Sequence, residues 1–174
     1  MTGKGHTWVS LAFSIATYKM GTQLGLTGVD PFLVSVGTIL GGTAPDWMEI
    51  RKQNGGTVIK HRTVTHWLPL WLGLFFFIFG VLTKSEELFK IWNFNLISSH
   101  FWAFMFGFGI GGLLHLLVDI PNPMGIPILT PNRRFSLKLW KSGKFELPIV
   151  TVFLIFSLYY IDLLSINIEK LNFL

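Results

Sequence analysis

FWAFMFGFGIGGLLHLLV, residues 101–118, runs for eighteen positions with His115 as its one ionisable member. A helix rises ~1.5 Å per residue and bilayer hydrocarbon is ~30 Å thick, so this run is close to the length of a transmembrane helix. Residues 67–82 form a second run, without an Asp, Glu, Lys or Arg. Residues 147–161 form a third, continued by Leu163 and Leu164 beyond Asp162. Both can cross with help from interfacial flanks. Residues 7–26, which carry Lys19, and residues 31–45, diluted by Gly37, Thr38, Gly41, Gly42 and Thr43, complete a set of five. Small residues suit helices packed closely between others. The expected fold class is all-α, a polytopic membrane helical bundle of about five transmembrane helices.

Composition agrees. Of 174 residues, 51% are hydrophobic and only 13% charged, about half the ~25% charged share of soluble domains. No linker-like stretch divides the chain, so residues 1–174 read as a single domain. The absence of cysteine excludes disulfides, thiolate zinc sites and cysteine nucleophiles, and leaves His, Asp and Glu to bind any metal. The first residues precede an apolar stretch with no small-residue cleavage site, which does not read as a removable signal peptide.

Cytoplasmic loops carry the Lys and Arg excess. With the N-terminus inside, ten of the 14 Lys and Arg fall on the cytoplasmic side: Lys4, four within residues 51–62 and five within residues 133–144. Lys19, Lys84, Lys90 and Lys170 fall outside. Orientation thus accounts for the net charge of +5 without a nucleic-acid partner. The expected location is the inner membrane, with the N-terminus and the site cytoplasmic and the lipid bilayer as the first partner.

Ionisable groups in membrane segments are costly and mark function. Here His6, Asp46, Glu49, His61, His66, His115, Asp119 and the neighbouring Asn122 all gather at the cytoplasmic ends. His115 and Asp119 are four apart, on one helix face, where adjacent turns can hold one metal; a simple His to Asp hydrogen bond is the alternative. His61 and His66 lie five apart, about 140° around a regular helix, and would share a metal only across a bent turn. Pro45-Asp46 can equally be a helix end, with Asp46 capping the next segment. The glycines of residues 107–112 fit the letters of a dinucleotide fingerprint but follow no strand, and helix packing through Gly107 and Gly111 explains them. Residues 133–144 interleave Phe135, Leu137, Leu139 and Trp140 with basic residues and read as an interfacial helix on anionic lipid.

Taken in order, the blocks Met-Thr-Gly-Lys-Gly-His6, Gly-Gly-Thr-Ala-Pro45-Asp46, His61-Arg62-Thr-Val-Thr65-His66 and His115-Leu-Leu-Val-Asp119, followed by Gly125, Pro127 and Pro131, resemble the YdjM family. That family is described as membrane-bound, predicted metal-dependent hydrolases, linked in some bacteria to the LexA-controlled damage response. It is similar, distantly, to zinc-dependent phospholipase C and related zinc nucleases. The resemblance implies metal roles for His6, Asp46, His61, His66, His115 and Asp119, with zinc as the expected ion. Trp67, Met48 and the Asn122-Pro123 pair depart from the family pattern and bear on metal number and pocket shape. A divalent metal there would make a bound water more acidic, with a pKa of about 7, and polarise a phosphoryl oxygen. Glu49 is then the expected general base and Arg62 the expected phosphate partner. The expected function is hydrolysis of a phosphoester, of phospholipid type, at the cytoplasmic face. The competing class is a small transporter or assembly factor with a structural metal. Transport sites sit near the midplane, whereas these residues crowd the helix ends.

Overall fold

In the computed structural model the described residues are 1–49, 62–83 and 99–162. They fold into helices α1 (Gly3–Gln23), α2 (Asp30–Gly41), the single turn α3 (Ala44–Trp47), α4 (Leu68–Thr83), α5 (Ser99–Asp119) and α6 (Glu146–Tyr160). A 3-10 turn, Val64–His66, precedes α4, and a two-residue antiparallel pair, β1 (Ile126–Pro127) with β2 (Arg134–Phe135), follows α5. The all-α expectation holds. Of the five spans expected, one described helix, Ser99–Asp119, is both long and apolar enough to cross a membrane. Asp30–Gly41, Leu68–Thr83 and Glu146–Tyr160 are apolar but shorter, at 10–17 residues. The 21-residue α1 has the length, but it turns Ser10, Ser14 and Thr17 inward, and those hydroxyls lower its hydropathy.

Thr2 starts α1, its side chain accepting from the Gly5 amide at 3.2 Å, an N-cap that satisfies one orphan donor of the first turn. Pro31 stands in the first turn of α2 and Pro45 in that of α3, where a missing N–H costs nothing. The helices pack as a row: α5 lies between α2 and α4, and α1 between α2 and α6. Lys19 bonds Asp162 at 2.5 Å at one end of the bundle. Thr2 bonds Glu146 at 2.7 Å at the other. Helices α1 and α6 therefore run parallel.

The α2 and α5 backbones touch. A Cβ on Gly107 would collide with the Val34 carbonyl and one on Gly111 with that of Thr38; Gly37 and Gly41 meet the carbonyls of Phe104 and Phe108 in return. Lipid offers no hydrophobic drive for helix association, so close packing of this kind holds such helices together. Packing through Gly107 and Gly111 is as read from the sequence. Hydroxyls line the α1–α2 seam: Ser35 donates to the Ser14 carbonyl at 2.8 Å and Thr38 to the Thr17 hydroxyl at 3.1 Å.

One expectation is corrected. Residues 133–144 do not form an interfacial helix; they run extended from β2 into turns. The Leu137 and Leu139 amides donate to the carbonyls of Ile120 and Pro121 at 3.0 and 2.9 Å. Those long-range bonds take the backbone donors that a helix would have used internally.

Candidate metal centre

The C-terminal end of α5 supplies two groups four residues apart, His115 and Asp119, both fully buried. The last residues of α2 and the α3 turn bring Gly42 and Asp46 alongside, and the 3-10 turn before α4 brings His66. His115 Nε2 stands 3.2 Å from His66 Nε2. Asp46 Oδ1 is 3.4 Å from the latter and 3.7 Å from the former. Asp119 Oδ2 is 3.7 Å from His115 Nε2. Ligands at ~2.0–2.1 Å from a tetrahedral centre stand about 3.3–3.4 Å apart, so these pairs are spaced as two donors on one ion can be; His66, His115 and Asp119 form one group able to hold an ion, and His6, Asp46 and His115 another.

The outer ring nitrogens fix which lone pairs face inward. His115 Nδ1 is 2.8 Å from the Gly42 carbonyl, which only accepts, so Nδ1 carries the proton. His66 Nδ1 lies 3.1 Å from Thr65 Oγ1 and 3.5 Å from Glu49 Oε1, and the carboxylate favours a proton there too. The Nε2 atoms of both rings face each other and Asp46, so an ion between them would take the place of the hydrogen bond by which His66 holds Asp46. The donor chemistry, two imidazoles and two carboxylates, suits a divalent ion such as zinc.

Asp119 anchors a second set of contacts. Its Oδ1 accepts from the Met1 amino group at 2.6 Å and from Asn122 Nδ2 at 2.8 Å, and lies 3.3 Å from His6 Nε2. Its Oδ2 pairs with Arg62 Nη2 at 2.6 Å. The His6 ring stacks on His115 with centroids 3.6 Å apart, and its Nδ1 has no hydrogen-bond partner among the described residues. Arg62 adopts a φ of +55°, uncommon for a residue with a Cβ and maintained only where the surroundings over-determine it. Here its amide donates to Glu49 at 3.0 Å and its Nη1 to the Gly125 carbonyl at 3.2 Å. Asp46 lies beyond the end of α2, its side chain 37% exposed. Burial by itself would raise its carboxyl, but the His66 hydrogen bond and the charges of His115, His6 and His66 hold it below the ordinary carboxylate range.

Five of the six sequence-derived metal candidates, His6, Asp46, His66, His115 and Asp119, thus meet at one end of the bundle, in overlapping groups able to hold an ion. The sixth, His61, lies outside the described residues. Glu49 and Arg62 are both at the site. The Gly42 carbonyl, the Thr65 hydroxyl and the Met1 amine were not legible as participants; Thr65, adjacent to His66, carried the one available signal.

The family model for the YdjM inner membrane protein matches residues 1–170. No curated protein and no solved structure matches the chain.

Proposed function

The chain belongs to the YdjM inner membrane protein family, and we propose that it is a metal-dependent hydrolase of phosphoesters, acting on phospholipid-type substrates at the cytoplasmic membrane surface. In this reading five helical spans cross the bilayer, the shorter ones completed by interfacial flanks, with the N-terminus and the site inside. The observation that carries it is the facing pair of His66 and His115 Nε2 atoms, 3.2 Å apart, closed by one oxygen each of Asp46 and Asp119. Asp46, His66, His115 and Asp119 hold the ion, zinc by choice of donors, and His6 completes the cluster. A divalent ion there supplies Lewis-acid polarisation of a phosphoryl oxygen.

The chain's own groups do the rest. Glu49 faces the outer nitrogen of His66 and the Arg62 amide, which suits orientation of the ligand better than proton abstraction from water. Arg62 neutralises Asp119 through Nη2, and its buried Nε, without a hydrogen-bond partner among the described residues, is the donor left for a phosphate. Asp46, the most exposed of the four ligands, marks the side from which substrate approaches.

Purified protein supplied with zinc is expected to cleave phospholipids or lipid phosphates in preference to single-stranded DNA. Activity should vanish with a chelator, return with added metal, and decline on the acid side as imidazoles take up protons in competition with the metal. Glu49→Gln should weaken metal affinity by roughly 10- to 100-fold, the range for residues that orient a ligand. A metal-loaded, folded protein that cleaves nothing on this panel favours a structural metal or a transport role instead. The five-span topology is tested separately: single cysteines at Gly55 and Glu87 in this cysteine-free chain are expected to label from opposite sides of the membrane. Labelling from one side would overturn it.

A further inference from the structure

The basic and aromatic segment beyond β2 builds one wall of a groove against the inner ends of α5 and α6. The groove encloses about 630 Å³ and is lined by apolar side chains, among them Val118, Pro121, Trp140, Phe145, Ile149 and Val152. That volume falls within the ~300–1,000 Å³ of small-molecule sites. An apolar hollow on a membrane protein is unremarkable by itself, and two further observations say what fits this one. The indole Nε1 of Trp140 is buried with no hydrogen-bond partner among the described residues. A buried donor of this kind calls for an acceptor, which a ligand in the groove can provide. Lys141 comes directly after Trp140 and Lys144 precedes Phe145, both exposed, so two cations flank the residues that form the wall. The nearby carboxylate, Glu146, is taken up by the Thr2 amide and hydroxyl and the Gly143 amide.

We propose that this groove is a binding site for one acyl chain of an anionic phospholipid. The chain lies along Val152 and Ile149, an ester carbonyl accepts from Trp140 Nε1, and the phosphate meets Lys141 and Lys144. Lipid-facing Leu147 and Val152 are 77% and 64% exposed, which makes the groove continuous with the surface that the bilayer covers. The site does not rest on the hydrolytic reading; it would serve a non-enzymatic member of the family equally.

The test uses the full chain in detergent, titrated with phosphatidylglycerol brominated in mid-chain, with tryptophan fluorescence as the readout. Quenching is expected to saturate at one lipid per chain. The phosphatidylcholine analogue should bind more weakly by on the order of tenfold, and the Lys141→Gln/Lys144→Gln double variant should lose that preference. Val152→Phe, which fills the groove, should abolish the saturable phase while the melting temperature stays put. Should Val152→Phe fail to fold, Trp140→Phe decides: it removes the reporter, and the saturable phase must go with it. Quenching that rises without saturation, equal response to both headgroups, or a saturable phase that survives Trp140→Phe would each overturn the proposal.

Discussion

His115→Ala is expected to lower metal affinity by at least tenfold and to abolish the metal-dependent rise in thermal stability. This ring faces the other three donors at once: its Nε2 is 3.2 Å from His66 and 3.7 Å from both Asp46 and Asp119. Loss of a residue that merely orients a ligand costs roughly 10- to 100-fold, and loss of a ligand should cost at least as much. An ion present at about a hundred times its dissociation constant stabilises the folded state by about 2.7 kcal/mol. Wild type should therefore melt higher with zinc than with chelator, and His115→Ala should melt alike in both. Comparing melting points within each variant separates metal binding from the cost of the cavity, which is present with or without the ion. Elemental analysis of the same samples gives the stoichiometry. Unchanged metal content in both His115→Ala and Asp119→Ala would remove this pair from the centre.

Gly111→Leu is expected to prevent the bundle from assembling. Any Cβ there meets the Thr38 carbonyl and the backbone of Gly41 and Gly42, and a helix backbone cannot step aside as a side chain can. Overpacking among side chains costs about 1–3 kcal/mol; a clash with backbone along a whole seam costs more, against a total stability of only ~5–15 kcal/mol. Gly73→Leu is the control, since nothing lies within 4 Å of a Cβ built at Gly73. It should express, chromatograph and melt like wild type, with a shift of no more than about 0.5 kcal/mol. A Gly111→Leu protein that behaves like the control would show that α2 and α5 do not touch through this seam.

The helix centres were legible because apolar runs report burial in lipid or protein whatever the tertiary arrangement. Ends were less so. Helix α1 begins at Gly3, not near Thr7, because Thr2 caps it, and the Pro45 turn is separate from α2 because Gly42 and Thr43 stand between them. The stretch after Arg134 misled for a physical reason. Phe135, Leu137 and Leu139 alternate with Ser136 and Lys138, which is the period of extended chain, and that pattern competes with the basic-aromatic composition of an interfacial helix. At the site, the convergence of His and Asp came from counting spans. The pairing of Arg62 with Asp119 did not, because it depends on a positive φ at Arg62 that no local sequence pattern announces.

The bond from His115 to the Gly42 carbonyl has a consequence for the order of events during biogenesis. Gly42 is synthesised well before His115, and the two meet only when the segments carrying them dock. Until then the imidazole is free to hold its proton on either nitrogen and to turn toward any neighbour. Docking along the glycine seam therefore selects the tautomer as it closes, so ligand competence arrives together with assembly instead of before it. A half-assembled bundle would hold metal weakly, and metal occupancy would report on its completion.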